Sequence, residues 1–207
     1  MKRVRIYYSK TWALRYTGNL DVHKVWERTI RRAHLPVAYT QGFHPQPRLN
    51  QACPLPLGMT SLDEILDIWI TQDIEKEEVM SKLVTASPPG IEISRVEDIE
   101  LINPALQTQV KSSEYQALLL ATYSKNDLDA RVKELLSSES LPRQRRDKPY
   151  DLRPLIEELD AGIIDGMISL RMLLSAREGA TGRPEEVLLA LGIDPLDTRI
   201  ERVKLVI

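Results

Sequence analysis

The first half of the chain alternates between strand-like and helix-like hydrophobic patterns. Residues 3–8 alternate with a period of two, which predicts a strand with one charged or wet face. A 3.6-residue apolar period predicts a helix that begins at Asn19 or Asp21, either of which can cap it, and runs to about His34 before Pro36. The other predicted elements are an irregular proline-rich edge at 45–58, a strand at 65–70, a helix at 73–86 and a strand at 91–102.

The second half repeats this order. Its predicted elements are strands at 115–123, 141–146, 167–176 and 199–206, and helices at 127–137 and 184–191. An additional amphipathic segment predicts an inserted helix near 151–161, with apolar residues Leu152, Leu155, Ile156 and Leu159. The sequence therefore predicts an α+β protein of two tandem ferredoxin-like (βαββαβ) halves, each an antiparallel sheet covered by two helices. Asn103 and Pro104 place the boundary, which gives a basic N-terminal half at 1–104 and a second half at 105–207.

Composition indicates a soluble globular protein and reveals an uneven distribution of charge. The 207 residues are 43% hydrophobic and 28% charged, with a formal net charge of -2. Residues 1–60 carry ten basic and two acidic side chains, a net charge of +8, whereas residues 61–102 carry three basic and eleven acidic side chains, a net charge of -8. Either the two stretches pair with each other, or the basic stretch faces an external partner.

The cysteine count and the hydropathy of the chain limit the kinds of site and the cellular location that we expect. The single cysteine, Cys53, excludes an internal disulfide and any thiolate-built zinc or iron–sulfur site made by this chain alone. The N-terminus has no apolar leader, and no apolar run approaches the roughly 18 residues of a membrane span. We therefore expect a cytoplasmic protein without membrane contact.

The most distinctive stretch is YTQGFHPQPR at 39–48, followed by LPLG at 55–58. Glycine lets the backbone turn and the prolines stiffen it, so that Phe43, His44 and Arg48 are presented from a preorganised loop. The alternative is that Phe43 fills a core while the prolines protect a sheet edge. A second glycine-containing stretch, GATGR at 179–183, predicts a short turn before a helix that begins near Pro184.

Several short motifs in the first 100 residues resemble the radical-SAM-linked domain family, among them RIYYSK at 5–10, LRY at 14–16, QGF at 41–43 and PLPLG at 54–58. The resemblance implies a protein that works beside, or is fused to, a radical-SAM enzyme with a cobalamin-binding domain, often encoded near a ribonuclease of the E/G type. Two positions depart from the family. Its Ser-His pair is Gly18-Asn19 here, and its Gly-Phe-Asn-Pro-His-Pro motif has His44 and Gln46 in place of Asn and His.

These observations favour a non-catalytic accessory or adaptor that binds RNA, either tRNA or rRNA, through its basic half. Radical-SAM chemistry needs three cysteines, so this chain is not itself the radical enzyme. We expect no cofactor and no metal, because His23 and His34 lie about 16 Å apart along the predicted helix. The predicted RNA-binding residues are Arg15, Tyr16, Lys24, Arg28, Arg31, Arg32, Tyr39, Phe43, His44, Arg48, Arg143, Arg145 and Arg146.

Two other functions stay open. One is a metal-independent, endoribonuclease-like RNA-processing enzyme, in which His44 or His23 acts as the general base while Lys10, Tyr39 or Arg48 stabilises the developing charge. The other is a protein-only interaction domain whose basic stretch faces an acidic partner. Asp63, Glu64 and Asp67 have the chemistry to hold magnesium, but carboxylates beside a strand are more often solvent-facing charge.

Overall fold

Alternating apolar residues of the first strand are buried beneath two helices in the computed structural model, which describes residues 1–145 and 147–207. Two compact units divide the chain, Met1–Val110 and Lys111–Ile207. The elements of the first unit are β1 (Lys2–Lys10), α1 (Asn19–Arg32), β2 (Leu49–Gln51), β3 (Thr60–Ile70), α2 (Lys76–Ala86), β4 (Ile91–Ile99) and the short α3 (Leu106–Gln109). Strands pair antiparallel in the order β4-β1-β3-β2.

The core of the first unit lies between α1, α2 and one face of this sheet. Val4 and Ile6 of β1 pack with Trp26 of α1 and Leu83 of α2, and all four side chains are completely or almost completely buried. Tyr8 meets Trp26 edge-on, with ring centroids 4.7 Å apart. Burial of these side chains follows the predicted alternation of β1, since residues two apart point to the same face.

The opposite face of β1 is charged, but its two arginines are covered by other residues rather than wet. Arg3 and Arg5 are only 2% and 4% exposed, and Asp67 of β3 is completely buried between them. The physical reason is register, because β3 places Asp67 directly opposite Arg5. Main-chain carbonyls of Asn103 and Pro104 accept two further hydrogen bonds from Arg3, at 2.7 and 2.9 Å.

Helix α1 begins at Asn19, but neither predicted side chain caps it. Gly18 occupies the N-cap position, and no side-chain hydrogen bond closes the first turn. Asp21 instead lies inside the first turn, where a carboxylate interacts favourably with the helix dipole. After the C-cap residue Ala33, His34 adopts a φ of 51°, and this left-handed residue ends the helix two residues before Pro36.

In the second unit the elements are β5 (Ser112–Leu119), α4 (Lys125–Ser137), β6 (Pro142–Arg145), β7 (Lys148–Asp151), β8 (Ile156–Ile164), β9 (Met167–Arg177), β10 (Ala180–Thr181), α5 (Pro184–Ala190) and β11 (Thr198–Val206). Strand β5 pairs antiparallel with β11 and β9, and β8 and β10 both pair antiparallel with β9. Strands β6 and β7 form a separate antiparallel pair. The α+β class is confirmed. Within the described residues no helix is both long and apolar enough to cross a membrane.

The predicted inserted helix near 151–161 is absent. Residues there form a single 3-10 turn at Arg153–Leu155 and then strand β8. Ile156 and Leu159 are buried, and a register shift between Ile156 and Glu158 accounts for their odd spacing. The extra residue at this irregularity places two inward-facing side chains three positions apart, which imitates a helical period.

Candidate nucleic-acid interface

Four cations share one exposed side of α1, namely Lys24, Arg28, Arg31 and Arg32. Their spacing of four, three and one residues places them on successive turns of that side. The apolar side of the helix, with Val22, Trp26 and Ile30, is buried in the core. We call these four residues the α1 basic stripe.

Three members of the α1 basic stripe form no salt bridge in the part of the chain that the structure describes. Lys24 Nζ lies 3.5 Å from Asp21 Oδ1, whereas no described carboxylate lies within 4.0 Å of Arg28, Arg31 or Arg32. The three arginines therefore keep their charge available to an external anion.

The acidic stretch pairs with β1 rather than with α1. Lys2 Nζ lies 3.5 Å from Asp73 and 3.0 Å from Asp98. Asp67 accepts hydrogen bonds from Nε of both Arg3 and Arg5 at 2.8 Å. Burial alone lowers the pKa of Arg5, but hydrogen bonding and attraction to Asp67 outweigh it and raise the pKa above its ordinary value. The acidic stretch thus pairs with Lys2, Arg3 and Arg5 of β1 and forms no described salt bridge with the α1 arginines.

An exposed aromatic loop precedes the α1 basic stripe. Trp12 and Tyr16 are 60% and 73% exposed, and the Arg15 guanidinium lies 4.6 Å from the Trp12 ring centre and 5.1 Å from that of Tyr16. Arg15 Nε also donates to the carbonyl of Gly58 at 2.6 Å. The predicted phosphate ligand Arg15 therefore holds the two rings in place, and Trp12 is a candidate that the sequence reasoning missed.

Hydrogen bonds to main-chain carbonyl groups fix this loop to the sheet. The Thr11 N–H donates to the carbonyl of Gly90 at 3.0 Å. Lys10 Nζ donates to the carbonyls of Arg15 and Met59, at 3.4 and 3.2 Å. At Gly90, where φ is +99°, a Cβ atom would lie 2.5 Å from Leu14 Cγ. The close approach and the positive φ both require glycine there.

A second aromatic loop follows α1. Tyr39 and Pro47 form an isolated antiparallel bridge, and the Thr40 N–H donates to the carbonyl of Gln46 at 2.8 Å. Phe43 lies at the tip of this loop and is fully exposed, so the alternative that it fills a core is wrong. His44 is also exposed, and Tyr39 is 51% exposed.

The second aromatic loop and the α1 basic stripe meet at one small cavity. This cavity has a volume of about 180 Å³, and Arg31 and Tyr39 both line it. At the other end of the loop, the Arg48 guanidinium lies 4.3 Å from the centre of the Trp69 ring. The structure thus brings predicted residues of α1 and of the 39–48 stretch onto one surface.

Lys10, one residue of the enzyme hypothesis, does not lie beside Tyr39. Val37, two residues before Tyr39, bridges to Ile70, which pairs with Lys2 at the first residue of β1. Lys10 is the last residue of β1, about 26 Å away at 3.3 Å per residue. Lys10 is also 2% exposed and donates to main-chain carbonyls. It is therefore not available to a reaction centred on His44 and Tyr39.

The second predicted basic cluster lies on the β6–β7 hairpin. Arg143 Nη1 donates to the carbonyl of Pro142 at 2.9 Å, and Arg145 is exposed. The third predicted residue, Arg146, lies outside the described residues. Arg145 lines a cavity of about 580 Å³ in the second unit, together with Lys148, Tyr150 and Arg183.

The sequence contains Asp63, Glu64 and Asp67 as candidate magnesium ligands. Among residues 1–145 and 147–207, no group of three or more His, Cys, Asp or Glu side chains is placed to hold an ion. Asp67, a candidate magnesium ligand in the sequence, lies between Arg3 and Arg5 instead. Cys53 is buried and not in a disulfide.

Comparison with known proteins identifies a family but no function. A search of the curated proteins gives no match. A chain of the "Crystal Structure of a Cbf5-Nop10-Gar1 Complex" is similar at 11% sequence identity with a TM-score of 0.48, over 89% of this chain and 45% of that chain. The present chain therefore spans less than half the length of this structural neighbour. The family model described as "Uncharacterized protein conserved in bacteria (DUF2344)" matches residues 3–184. This chain belongs to the DUF2344 family of uncharacterised bacterial proteins.

Proposed function

We propose that this protein is a non-catalytic accessory protein that binds RNA through the α1 basic stripe and the two aromatic loops beside it. One observation carries the proposal. Arg28, Arg31 and Arg32 are exposed and form no described salt bridge, and exposed aromatic rings precede and follow their helix. Cations that track phosphates and rings on which bases stack are the two components of single-stranded RNA recognition.

The dimensions of this surface support a short RNA segment as the ligand. Helix α1 has 14 residues and is therefore about 21 Å long at 1.5 Å per residue. Trp12 and Tyr16 precede its first turn in the chain, while Tyr39 and Phe43 follow its last turn. Several nucleotides of an unpaired strand therefore fit along the helix with a stacking platform at each end.

The proposed partner is a radical-SAM enzyme with a cobalamin-binding domain, and a ribonuclease of the E/G type is a second. Both partners rest on the sequence resemblance given above. The single cysteine fits the role of an accessory, because this chain lacks the three cysteines of a radical-SAM cluster. In this role the protein delivers RNA, and the partner performs the chemistry.

We also propose that both units are variants of one βαββαβ sandwich. In the first unit the strands pair in the order β4-β1-β3-β2. In the second unit β11, β5, β9 and β8 pair in the corresponding order, and the β6–β7 hairpin and β10 are additions. Equivalent strand order supports a duplication, although the sequences of the halves have no evident identity.

The test is a salt series of binding to total tRNA and to rRNA fragments, measured by anisotropy of labelled RNA. The double variant Arg31→Ala with Arg32→Ala removes two positive charges from α1. The matched control, Lys76→Ala with Lys82→Ala, removes two from α2. We expect the slope of log K against log salt to flatten by about 0.7 for each arginine removed, and to be unchanged in the control.

Two outcomes contradict the proposal. If the parent protein fails to bind RNA at low salt, RNA is not the ligand and the protein-only interaction domain is favoured. If the α1 and α2 variants weaken binding equally, the attraction is a property of net charge rather than of the α1 basic stripe.

A further inference from the structure

A separate cavity in the second unit has the composition of an anion site. Its volume of about 580 Å³ lies within the range of small-molecule pockets and exceeds what a lone phosphate needs. Its cationic lining residues are Arg145, Lys148 and Arg183, and Asp151 is its acidic one. The cavity therefore carries a formal excess of two positive charges.

The single lining carboxylate is already engaged by the protein backbone. Asp151 Oδ1 accepts hydrogen bonds from the N–H groups of Leu141 at 2.7 Å and Arg153 at 3.0 Å. These two bonds lower the pKa of Asp151, so it stays ionised and bound to the main chain. Of the carboxylates that the structure describes, none lies within 4.0 Å of the cationic groups of Arg145, Lys148 or Arg183. The nearby Asp147 and Glu186 therefore neutralise none of them by direct pairing.

The register of the hairpin makes this arrangement unfavourable without an anion. Arg145 of β6 pairs directly with Lys148 of β7 across the two strands. Like charges at directly opposite positions destabilise an antiparallel pair, since their Cβ atoms are only about 5 Å apart. An anion held between the hairpin and Arg183 would turn this repulsion into attraction.

One aromatic ring and one glycine-containing segment complete the cavity. Tyr150 is half-buried in the lining, and burial and Glu186 raise the pKa of its hydroxyl against the influence of Arg143, Arg145 and Arg183, so it is a neutral phenol. The lining also includes Gly179 and Thr181. At Gly182 a Cβ would lie 3.0 Å from the Leu155 carbonyl oxygen, so glycine allows this segment to pack closely. The GATGR stretch, predicted only as a turn, thus forms part of a pocket wall.

We propose that this cavity binds a nucleoside phosphate, with the phosphate held by Arg145, Lys148 and Arg183 and the base lying against Tyr150. Arginine and lysine suit phosphate oxygens, and an aromatic face suits any base. The volume accommodates a ring system together with the phosphate. The ligand is either a free nucleotide or the terminal nucleotide of an RNA strand. This site is separate from the α1 basic stripe and does not depend on it.

The test is calorimetric titration of the full-length protein with AMP and UMP, and with adenosine and inorganic phosphate as partial ligands. We expect the monophosphates to bind at least tenfold more tightly than either partial ligand, with an affinity that falls as salt rises. Arg183→Ala should weaken AMP binding at least tenfold, whereas Lys133→Ala, an exposed cation of α4, should leave it unchanged. A short RNA with a terminal phosphate is then tested as a competitor of AMP, beside the same RNA without that phosphate. If only the phosphorylated RNA displaces AMP, the natural ligand is the end of an RNA strand rather than a free nucleotide.

A charge reversal separates loss of binding from loss of folding. Lys148→Glu places an acid opposite Arg145, so it should keep or raise the melting temperature while abolishing nucleotide binding. The Arg31→Ala and Arg32→Ala variant should bind AMP normally, which distinguishes this site from the proposed RNA surface. The proposal is overturned if the monophosphates fail to bind at millimolar concentration, or if Lys148→Glu binds them as the parent does.

Discussion

The arginines of β1 and those of α1 come from the same basic stretch of sequence but have opposite environments. Arg3 and Arg5 are buried and share one carboxylate, whereas Arg31 and Arg32 are exposed with no described carboxylate within 4.0 Å. The difference arises from β3, which places Asp67 in register with Arg5 of β1. A count of charges therefore does not show which arginines are paired inside the protein and which are free to bind a partner. The register of the strands shows it for Arg3 and Arg5.

The largest expected effect is on the buried side of this comparison. Asp67→Ala leaves two buried guanidinium groups without their counterion, so we expect the free energy of unfolding to fall by about 3–5 kcal/mol. Urea denaturation measures the change. Asp73→Ala is the control, because its exposed carboxylate lies 3.5 Å from Lys2 and should contribute less than about 1 kcal/mol. Equal losses of stability in both variants would show that the buried carboxylate of Asp67 contributes no more than the exposed carboxylate of Asp73.

An intermediate effect is expected on the exposed side, and in binding rather than stability. Phe43→Ala removes a fully exposed ring, so the free energy of unfolding should change by less than about 0.5 kcal/mol. RNA affinity should fall by about 1–3 kcal/mol, the value of one stacked base. Anisotropy of labelled RNA measures it, with Leu196→Ala as a control that removes another highly exposed apolar side chain. Unchanged affinity in Phe43→Ala would remove the second aromatic loop from the interface.

The smallest effect sharpens the comparison with an acid that has one oxygen buried without a hydrogen-bond partner. Glu185 Oε2 is buried and has no hydrogen-bond partner in the described part of the chain. Burial raises the pKa of Glu185, although its own backbone N–H and Arg183 oppose the rise. The folded state therefore binds this proton more tightly than the unfolded state, so stability falls as pH rises from the ordinary value of 4.5 through the raised pKa.

Glu185→Gln should consequently be more stable than the parent at neutral pH and lose this advantage below pH 4.5. Thermal denaturation across this range measures the difference. A variant less stable than the parent at neutral pH would mean that the carboxylate makes a favourable interaction after all. Asp67→Ala is thus expected to lower the free energy of unfolding and Glu185→Gln to raise it, because Asp67 has two arginine partners whereas Glu185 Oε2 has no described hydrogen-bond partner.

Periodicity predicted the element order of the first unit but not which polar faces are covered. Val4 and Ile6 identified the inner face of β1, because alternation reports the core directly. The burial of Arg3 depends on Asp67 and on the carbonyls of Asn103 and Pro104, all distant in sequence, so no local pattern reveals it. The false helix near 151–161 has a local cause, since a strand irregularity changes the apparent period.

Prediction of the candidate site was limited in the same way. Exposure of Arg31 and Arg32 follows from the helical period, which places them opposite Trp26. Trp12 was missed because an aromatic residue directly after a strand has no periodic partner that indicates burial or exposure. The cavity beside Tyr150 was missed because it depends on the register of the hairpin and on the close approach of Gly182.

The positions of the three tryptophans give the protein a built-in optical probe. Trp26 is enclosed in the core and Trp69 is covered by the guanidinium groups of Arg3 and Arg48, whereas Trp12 projects into solvent beside Arg15. An aqueous quencher such as iodide therefore reaches Trp12 and not the other two indoles. A red-shifted, quenchable fraction of the indole emission belongs to Trp12, and its protection by a ligand reports on the loop before α1 without any label.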